Sequence, residues 1–229
     1  MSNILKYDLF IFDFDGTIFD TEYIHYECWK EVLIKYTKNE SFTINTYFKY
    51  YHSLEKNNFR KYLYNKYQIN DELYDKLYER KCNIYMERAN YEEVNLLKNI
   101  DKFINFLNEN NKKLIIVTNA SSKFISIYKN KYSIMKKFNE IYTKEDFKNK
   151  KPNPECYNKI EMKYKNLKKI CFEDSLTGIE SLSHSINIDK VFINNEKYYY
   201  YEYILNNYKN LINIKDYNIN ELNNLLSIN

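Results

Sequence analysis

The sequence predicts an α/β fold: a doubly wound parallel sheet with an inserted block of helices. Three observations predict it. Short, nearly continuous apolar runs recur along the chain, as in strands buried on both faces. Stripes of helical period separate most of them, which implies right-handed βαβ crossovers. One long stretch near the N-terminus breaks this alternation and reads as helix throughout.

The first run is "YDLFIFDF" (7–14). Similar runs are "KLIIVTN" (113–119), "KICFED" (169–174) and "KVFIN" (190–194), with a weaker one, "NLINI", at 210–214. Between them, Leu96, Leu97, Ile100, Phe103, Ile104 and Leu107 form one apolar stripe. Cys156, Tyr157, Ile160 and Tyr164 form a second, and Ile179, Leu182 and Ile186 a third. The helical block begins with Asp20 or Thr21 as a candidate N-cap. It continues through Ile24, Cys28, Val32 and Tyr36, then Phe59, Tyr62 and Leu63, then Leu73, Leu77 and Cys82. "ANYEEV" (89–94) reads as the return linker. The expected organisation is a sheet domain of 1–20 and 92–229 and a helical domain of 21–91.

Composition narrows the function. The 229 residues suffice to bury a real core. The chain holds 26 tyrosines but two glycines and two prolines, a skew that fits an AT-rich coding bias. Tyrosine-rich stretches such as "KYYYYEY" (197–203) therefore carry little functional signal, and an amphipathic helix start explains that one better than base stacking does. Lysine and arginine number 35 against 31 acidic residues, scattered rather than striped, so no nucleic-acid partner is expected. Cys28, Cys82, Cys156 and Cys171 lack CxxC spacing, and no secretory signal precedes them. They read as reduced thiols of a cytoplasmic protein. No apolar run reaches membrane-spanning length. A soluble monomer is the default expectation.

The scarce residues are informative because they cluster. Gly16 lies in "FDFDGTIFDT" (12–21), Gly178 in "CFEDSLTGIES" (171–181), and both prolines in "KKPNPECY" (150–157). Asp13, Asp15, Thr118, Asn119, Glu173 and Asp174 all fall where predicted strands end, and Lys151 lies in a loop before a helix. Ligands of a doubly wound sheet bind beyond those carboxyl ends, so these residues converge on one crevice. Several carboxylates together call for a cation, and hard oxygens favour Mg²⁺. A lysine and a hydroxyl beside them suit phosphoryl oxygens. Asp-x-Asp offers one acid to attack phosphorus and one to handle the leaving-group proton. Gly16 keeps side chains off the phosphate.

"FDFDGTIFDT", "IIVTNAS", "KKPNPECY" and "CFEDSLTGIES" resemble, in order and spacing, the four motifs of the haloacid dehalogenase-like superfamily. The resemblance covers essentially the whole chain. It implies a Rossmann-like core with a small α-helical cap, as in the β-phosphoglucomutase-like branch. By that resemblance Asp13 is the nucleophile that forms an aspartyl-phosphate, and Asp15 the general acid and then base. Thr118 bonds the transferring phosphoryl group, with Asn119 and Gly16 lining the substrate site, and Lys151 offsets charge. Asp13, the Asp15 carbonyl and Asp174 hold Mg²⁺, with Glu173 as a further or water-mediated ligand. "DT…H…W" recurs in that branch where cap meets core, which makes His25 a substrate or hinge contact. Trp29, one turn on, reads as packing. His52, Lys49 and Arg60 have only charge and location in their favour, and His184 reads as a helix-surface residue.

An acid at Asp15 points to a phosphate-ester substrate, because halide leaves without a proton. The expected activity is a phosphatase for a small phosphorylated metabolite. The rival mutase reading wants a glycine and an arginine in the first cap loop, and "YYHSLE" (50–55) has neither. A receiver domain would carry its phosphorylated aspartate on a later strand. A non-catalytic scaffold would show an eroded site.

Overall fold

The computed structural model describes residues 3–52, 57–194 and 198–228. The end of the "YYHSLE" loop (53–55) and Lys197 of the tyrosine run lie outside them. The chain divides into two compact units. A sheet unit takes 1–20, 95–195 and 204–229, and a helical unit takes 21–94 and 196–203.

The sheet unit is a six-stranded parallel sheet in the order β3-β2-β1-β4-β5-β6. Its strands are β1 (Leu9–Phe12), β2 (Lys113–Val117), β3 (Glu140–Tyr142), β4 (Lys169–Glu173), β5 (Ile188–Ile193) and β6 (Leu211–Ile214). β1 and β4 are buried along their whole length, as their continuous apolar runs require. They pair in register from Leu9 opposite Lys169 to Phe12 opposite Phe172, so both strands point their carboxyl ends the same way. This pair is the topological switch point, the place where a doubly wound sheet opens its crevice.

Alternation along β1 sends its residues to two different cores. Leu9 and Ile11 join Ile115, Val117, Tyr157, Ile160 and Leu182 on one face. Phe10 and Phe12 enter an aromatic core on the other. There Phe12 stacks on Phe172 at 4.8 Å, and Phe103 stacks on Tyr217. The helices of this unit are α5 (Ile100–Glu109), α6 (Ser122–Lys131), α7 (Glu155–Lys163), α8 (Leu176–Ser183) and α10 (Ile219–Ile228). α9 (Tyr201–Asn207) starts in the helical unit and ends in this one.

Two details depart from the sequence reading. β3 has no counterpart in it, because three half-buried residues make no apolar run. Ile186 lies beyond the end of α8 and is 88 % exposed, so it is not part of that stripe.

The helical unit comprises α1 (Glu22–Thr37), α2 (Ile44–Tyr51), α3 (Asn58–Tyr67) and α4 (Asp71–Tyr91). Its core is aromatic: Trp29 is fully buried, with Phe59 and Tyr74 at 5.1 and 5.4 Å. Asn70 caps α4 by accepting from the Leu73 amide, with Asp71 and Glu72 in the first turn to favour the dipole. Thr21 sits at the N-cap of α1 but makes no capping bond. The unit also takes in 196–203, a stretch that the sequence reading leaves with the sheet. Tyr198 from that stretch stacks on His52 at 4.5 Å and packs against Phe48.

Candidate active site

Asp13 follows the last residue of β1, and its amide donates to the Phe172 carbonyl of β4. Glu173 ends β4 and Asp174 follows it. Adjacent parallel strands with matched ends thus bring three carboxylates together. Ligand oxygens of Asp13, Glu173 and Asp174 lie within 4.8 Å of one another, all three residues buried.

One cation answers them. The Lys151 ammonium, almost fully buried, donates to Asp13 Oδ1 at 2.7 Å, to Glu173 Oε1 at 2.6 Å and to the Val117 carbonyl at 2.7 Å. Its three N–H groups have three acceptors, so its direction is fixed. Burial alone would weaken the ammonium, and the Asp13 and Glu173 charges instead lift it above the ordinary lysine range. Asp13 is pushed up to about 7, first by burial, against the pull of Lys151, with Glu173 and Asp15 adding like-charge repulsion. One lysine does not neutralise this set. That imbalance fits a bound divalent cation, and the all-oxygen donor set suits Mg²⁺.

Both glycines of the chain are explained here. Gly16 has φ +72°, and a Cβ on it would meet Asp174 Oδ2 at 2.0 Å. A Cβ on Gly178 would meet Glu173 Oε2 at 1.9 Å. Each glycine leaves the space that one carboxylate of the Glu173–Asp174 pair occupies. Ser175, the N-cap of α8, accepts from the Gly178 amide.

Other sequence-derived residues fall as follows. Thr118 is buried at the end of β2, and its hydroxyl accepts from the Ala120 amide at 3.0 Å. Asn119 clamps the Lys151 backbone at both ends, its Oδ1 accepting from Lys151 N at 3.0 Å and its Nδ2 donating to Lys151 O at 3.2 Å. The side chain expected to line the substrate site is thus engaged in holding the lysine loop. The peptide bond from Lys151 to Pro152 is cis. The neighbouring Lys150 is exposed. Asp15 lies near enough for its charge to raise Asp13. His25 belongs to the helical unit, where its ring stacks on Tyr85 at 4.3 Å and its Nδ1 lies 2.6 Å from the buried Lys81 ammonium.

Two contacts have no precedent in the sequence reading. Thr17 donates to Asp174 Oδ1 at 3.1 Å. The fully buried Tyr157 donates its hydroxyl to Glu173 Oε1, and burial keeps that phenol well above its ordinary value. Thr17 is adjacent to Gly16 in the first motif. Tyr157 closes the "KKPNPECY" motif, but the role the sequence suggests for it is a place in an apolar stripe.

Comparison with known proteins bears on this centre. Residues 10–193 match the haloacid dehalogenase-like hydrolases, and the chain belongs to that family. No curated protein matches the sequence. Among solved structures, a family IA, variant 3 hydrolase from Entamoeba histolytica has a TM-score of 0.74 at 23% identity, over 96% of this chain and 99% of that one. CbbY from Rhodobacter sphaeroides, solved with phosphate, has a TM-score of 0.70 at 14% identity, over 92% and 94%. A protein assigned as a phosphoglycolate phosphatase from Lactobacillus plantarum has a TM-score of 0.71 at 15% identity, over 96% and 99%. The shared architecture is the family's α/β fold. No helix among the described residues is long and apolar enough to cross a membrane.

Proposed function

We propose that this hydrolase is a Mg²⁺-dependent phosphatase for a small phosphorylated metabolite, working through an aspartyl-phosphate on Asp13. The observation that carries the reading is the Lys151 ammonium held between Asp13 and Glu173 beside a third carboxylate. That arrangement suits a nucleophile that must be ionised and must meet an anionic substrate. Support also comes from the fold neighbours, which include CbbY bound to phosphate and a protein assigned as a phosphoglycolate phosphatase.

In this reading an Asp13 oxygen forms a bond to phosphorus as the ester P–O bond breaks. Asp15 gives its proton to the departing oxygen. It then takes a proton from water, which attacks phosphorus and releases Asp13 as carboxylate. Lys151 holds Asp13 in line and offsets charge on the phosphoryl oxygens. Thr118 donates its hydroxyl to one of those oxygens. Asp13, the Asp15 carbonyl and Asp174 would hold Mg²⁺, which supplies positive charge against the phosphoryl oxygens when bound. His25 serves as a contact of the helical unit for the substrate or hinge.

A phosphomutase is the second reading. A β-phosphoglucomutase-assigned protein from Thermotoga maritima shares the fold, with a TM-score of 0.64 over 96% of this chain. The deciding experiment measures phosphate release with and without Mg²⁺ across sugar phosphates, glycerol phosphate, phosphoglycolate and xylulose 1,5-bisphosphate. β-Glucose 1-phosphate is included, with its organic product identified. Mg²⁺-dependent release from a narrow subset supports the phosphatase. Isomerised sugar phosphate without release replaces it with the mutase. No turnover and no uptake of beryllium fluoride would overturn both.

A further inference from the structure

We infer that Tyr157 is a positioning residue for Lys151: it locks Glu173 in the orientation that aims the ammonium at Asp13. The inference rests on the phosphoryl-transfer reading for its functional consequence, and on geometry for its existence. Asp13 lies two residues beyond Ile11 on β1, so strand alternation turns it toward the face on which Tyr157 packs. α7 carries Tyr157 six residues after Lys151, on the other side of the loop that presents the lysine.

Tyr157 reaches the Glu173–Lys151 pair twice. Its hydroxyl donates to Glu173 Oε1, the same oxygen that accepts from Lys151. Its ring lies 5.0 Å from the Lys151 ammonium, within reach of cation–π attraction. Glu173 has no other freedom to use. Its Oε2 accepts from Ser175 Oγ at 3.4 Å and fills the space that Gly178 leaves. A carboxylate held at both oxygens cannot swing, so a lysine bonded to it cannot drift from Asp13. Without the phenolic O–H, Glu173 Oε1 loses one of its two donors and keeps only Lys151. The carboxylate then gains rotational freedom, and Lys151 spends less time on Asp13.

The test uses the full-length protein and Tyr157→Phe, which keeps the ring and its packing. Uptake of beryllium fluoride with Mg²⁺ reports the readiness of Asp13 without a substrate being known. Phosphate release from p-nitrophenyl phosphate reports turnover. In the wild-type background, uptake is expected to weaken, and kcat to fall, by about tenfold with KM within about twofold, the size usual for a partner one shell removed. In a Lys151→Ala background the same substitution should change neither by more than about 1.5-fold, because a residue acting through Lys151 has nothing left to position. A structural role would instead give equal losses in both backgrounds, and that result overturns the inference. So does an unchanged Tyr157→Phe in the wild-type background.

If the wild type neither releases phosphate nor takes up beryllium fluoride, the phosphoryl-transfer reading fails. The ¹⁵N resonance of the Lys151 ammonium then decides the positioning. That signal is expected sharp in the wild type, and broadened by faster proton exchange in Tyr157→Phe. An unmoved resonance overturns the lock.

Discussion

Among the described residues, buried carboxylates gather in two centres, one in each unit, and these are built to opposite ends. In the sheet unit Asp13 is pushed up to about 7 by burial and by the carboxylates around it, with Lys151 the one ammonium bonded to it among the described residues. In the helical unit Glu22 is equally enclosed, yet held down to about 2. Its burial penalty is overcome by the His52 imidazole at 2.7 Å and the Tyr47 hydroxyl at 2.8 Å. Glu22 is surrounded by donors, and its charge is satisfied. Asp13 is surrounded by other acids, and its charge is not. A buried group left short of counter-charge costs stability, and a fold carries that cost where chemistry needs it. A satisfied one is architecture.

Function should break along that line. Asp13→Asn is expected to reduce phosphate release below detection, a loss of at least about a thousandfold, because an amide cannot attack phosphorus. Glu22→Gln should leave kcat within about threefold once folding is ensured. Phosphate-release assays at saturating substrate check both. A fully active Asp13→Asn would remove the covalent mechanism. Chelation of Mg²⁺ should silence the wild type as completely as Asp13→Asn does, with recovery on adding the metal back.

Gly178→Ala follows in size. The new Cβ would stand 1.9 Å from Glu173 Oε2, so either the carboxylate or α8 must move. The expected cost is roughly 2–3 kcal/mol of stability, from overpacking and a disturbed buried ion pair. It should show as a lower midpoint in urea together with weakened beryllium fluoride uptake. A variant with native stability and uptake would mean that the Gly178 space is not what holds Glu173.

Much of the sheet-unit centre is legible in the sequence, and little of the helical one. Asp13, Lys151 and Asp174 stand out because strand ends converge in a doubly wound sheet, and because this chain uses glycine and proline so sparingly. Lys151 is separable from Lys150 by the Lys-Pro-x-Pro spacing alone. Tyr157 is hidden by its double nature. Its ring belongs to the apolar stripe of α7, and a sequence does not say where a hydroxyl on that stripe ends. Asn119 is obscured in the same way, since nothing local shows that its amide spans the Lys151 backbone. Glu22 looks like an ordinary first-turn acid, favourable to the α1 dipole. Its burial depends on Tyr47 and His52, some 25 and 30 residues away. The aromatic stretch at 198–203 reads as compositional bias, although Tyr198 and Tyr200 are buried. Long-range satisfaction of polar groups is tertiary information, and no period or motif encodes it.

Glu22, the fully enclosed member of the lowered carboxylates, should contribute to the acid limb of stability. A carboxyl whose folded value lies below its unfolded one stabilises the protein fully above the unfolded value. That contribution fades as pH falls toward the folded value. For Glu22 the window runs from 4.5 down to about 2, and the contribution is on the order of 3 kcal/mol. Urea denaturation from pH 7 to pH 2, comparing wild type with Glu22→Gln, should give curves that converge across that window. Curves that stay parallel would mean that the charge on Glu22 contributes nothing.

Asp13 carries the opposite sign, and so the smallest and least intuitive effect. A carboxyl raised from 3.8 to about 7 favours the folded state while protonated and opposes it as pH rises through that interval. In metal-free protein the ionised Asp13 is therefore a burden at pH 8, and Asp13→Asn removes it. Lys151 loses a partner in the exchange but keeps Glu173 at 2.6 Å, so no ammonium is stranded. The net gain is expected to be about 1 kcal/mol, or roughly 2–4 °C in Tm for a chain of this length. The inactive variant should thus melt above the wild type at pH 8 in chelator, and level with it near pH 4. Added Mg²⁺ should shrink or reverse the pH 8 difference, because the wild type regains a counter-charge for which the variant's neutral amide has no use. If Asp13→Asn instead melts lower at pH 8 without metal, the Lys151–Asp13 pair is a net stabiliser, and the contrast between the two centres collapses.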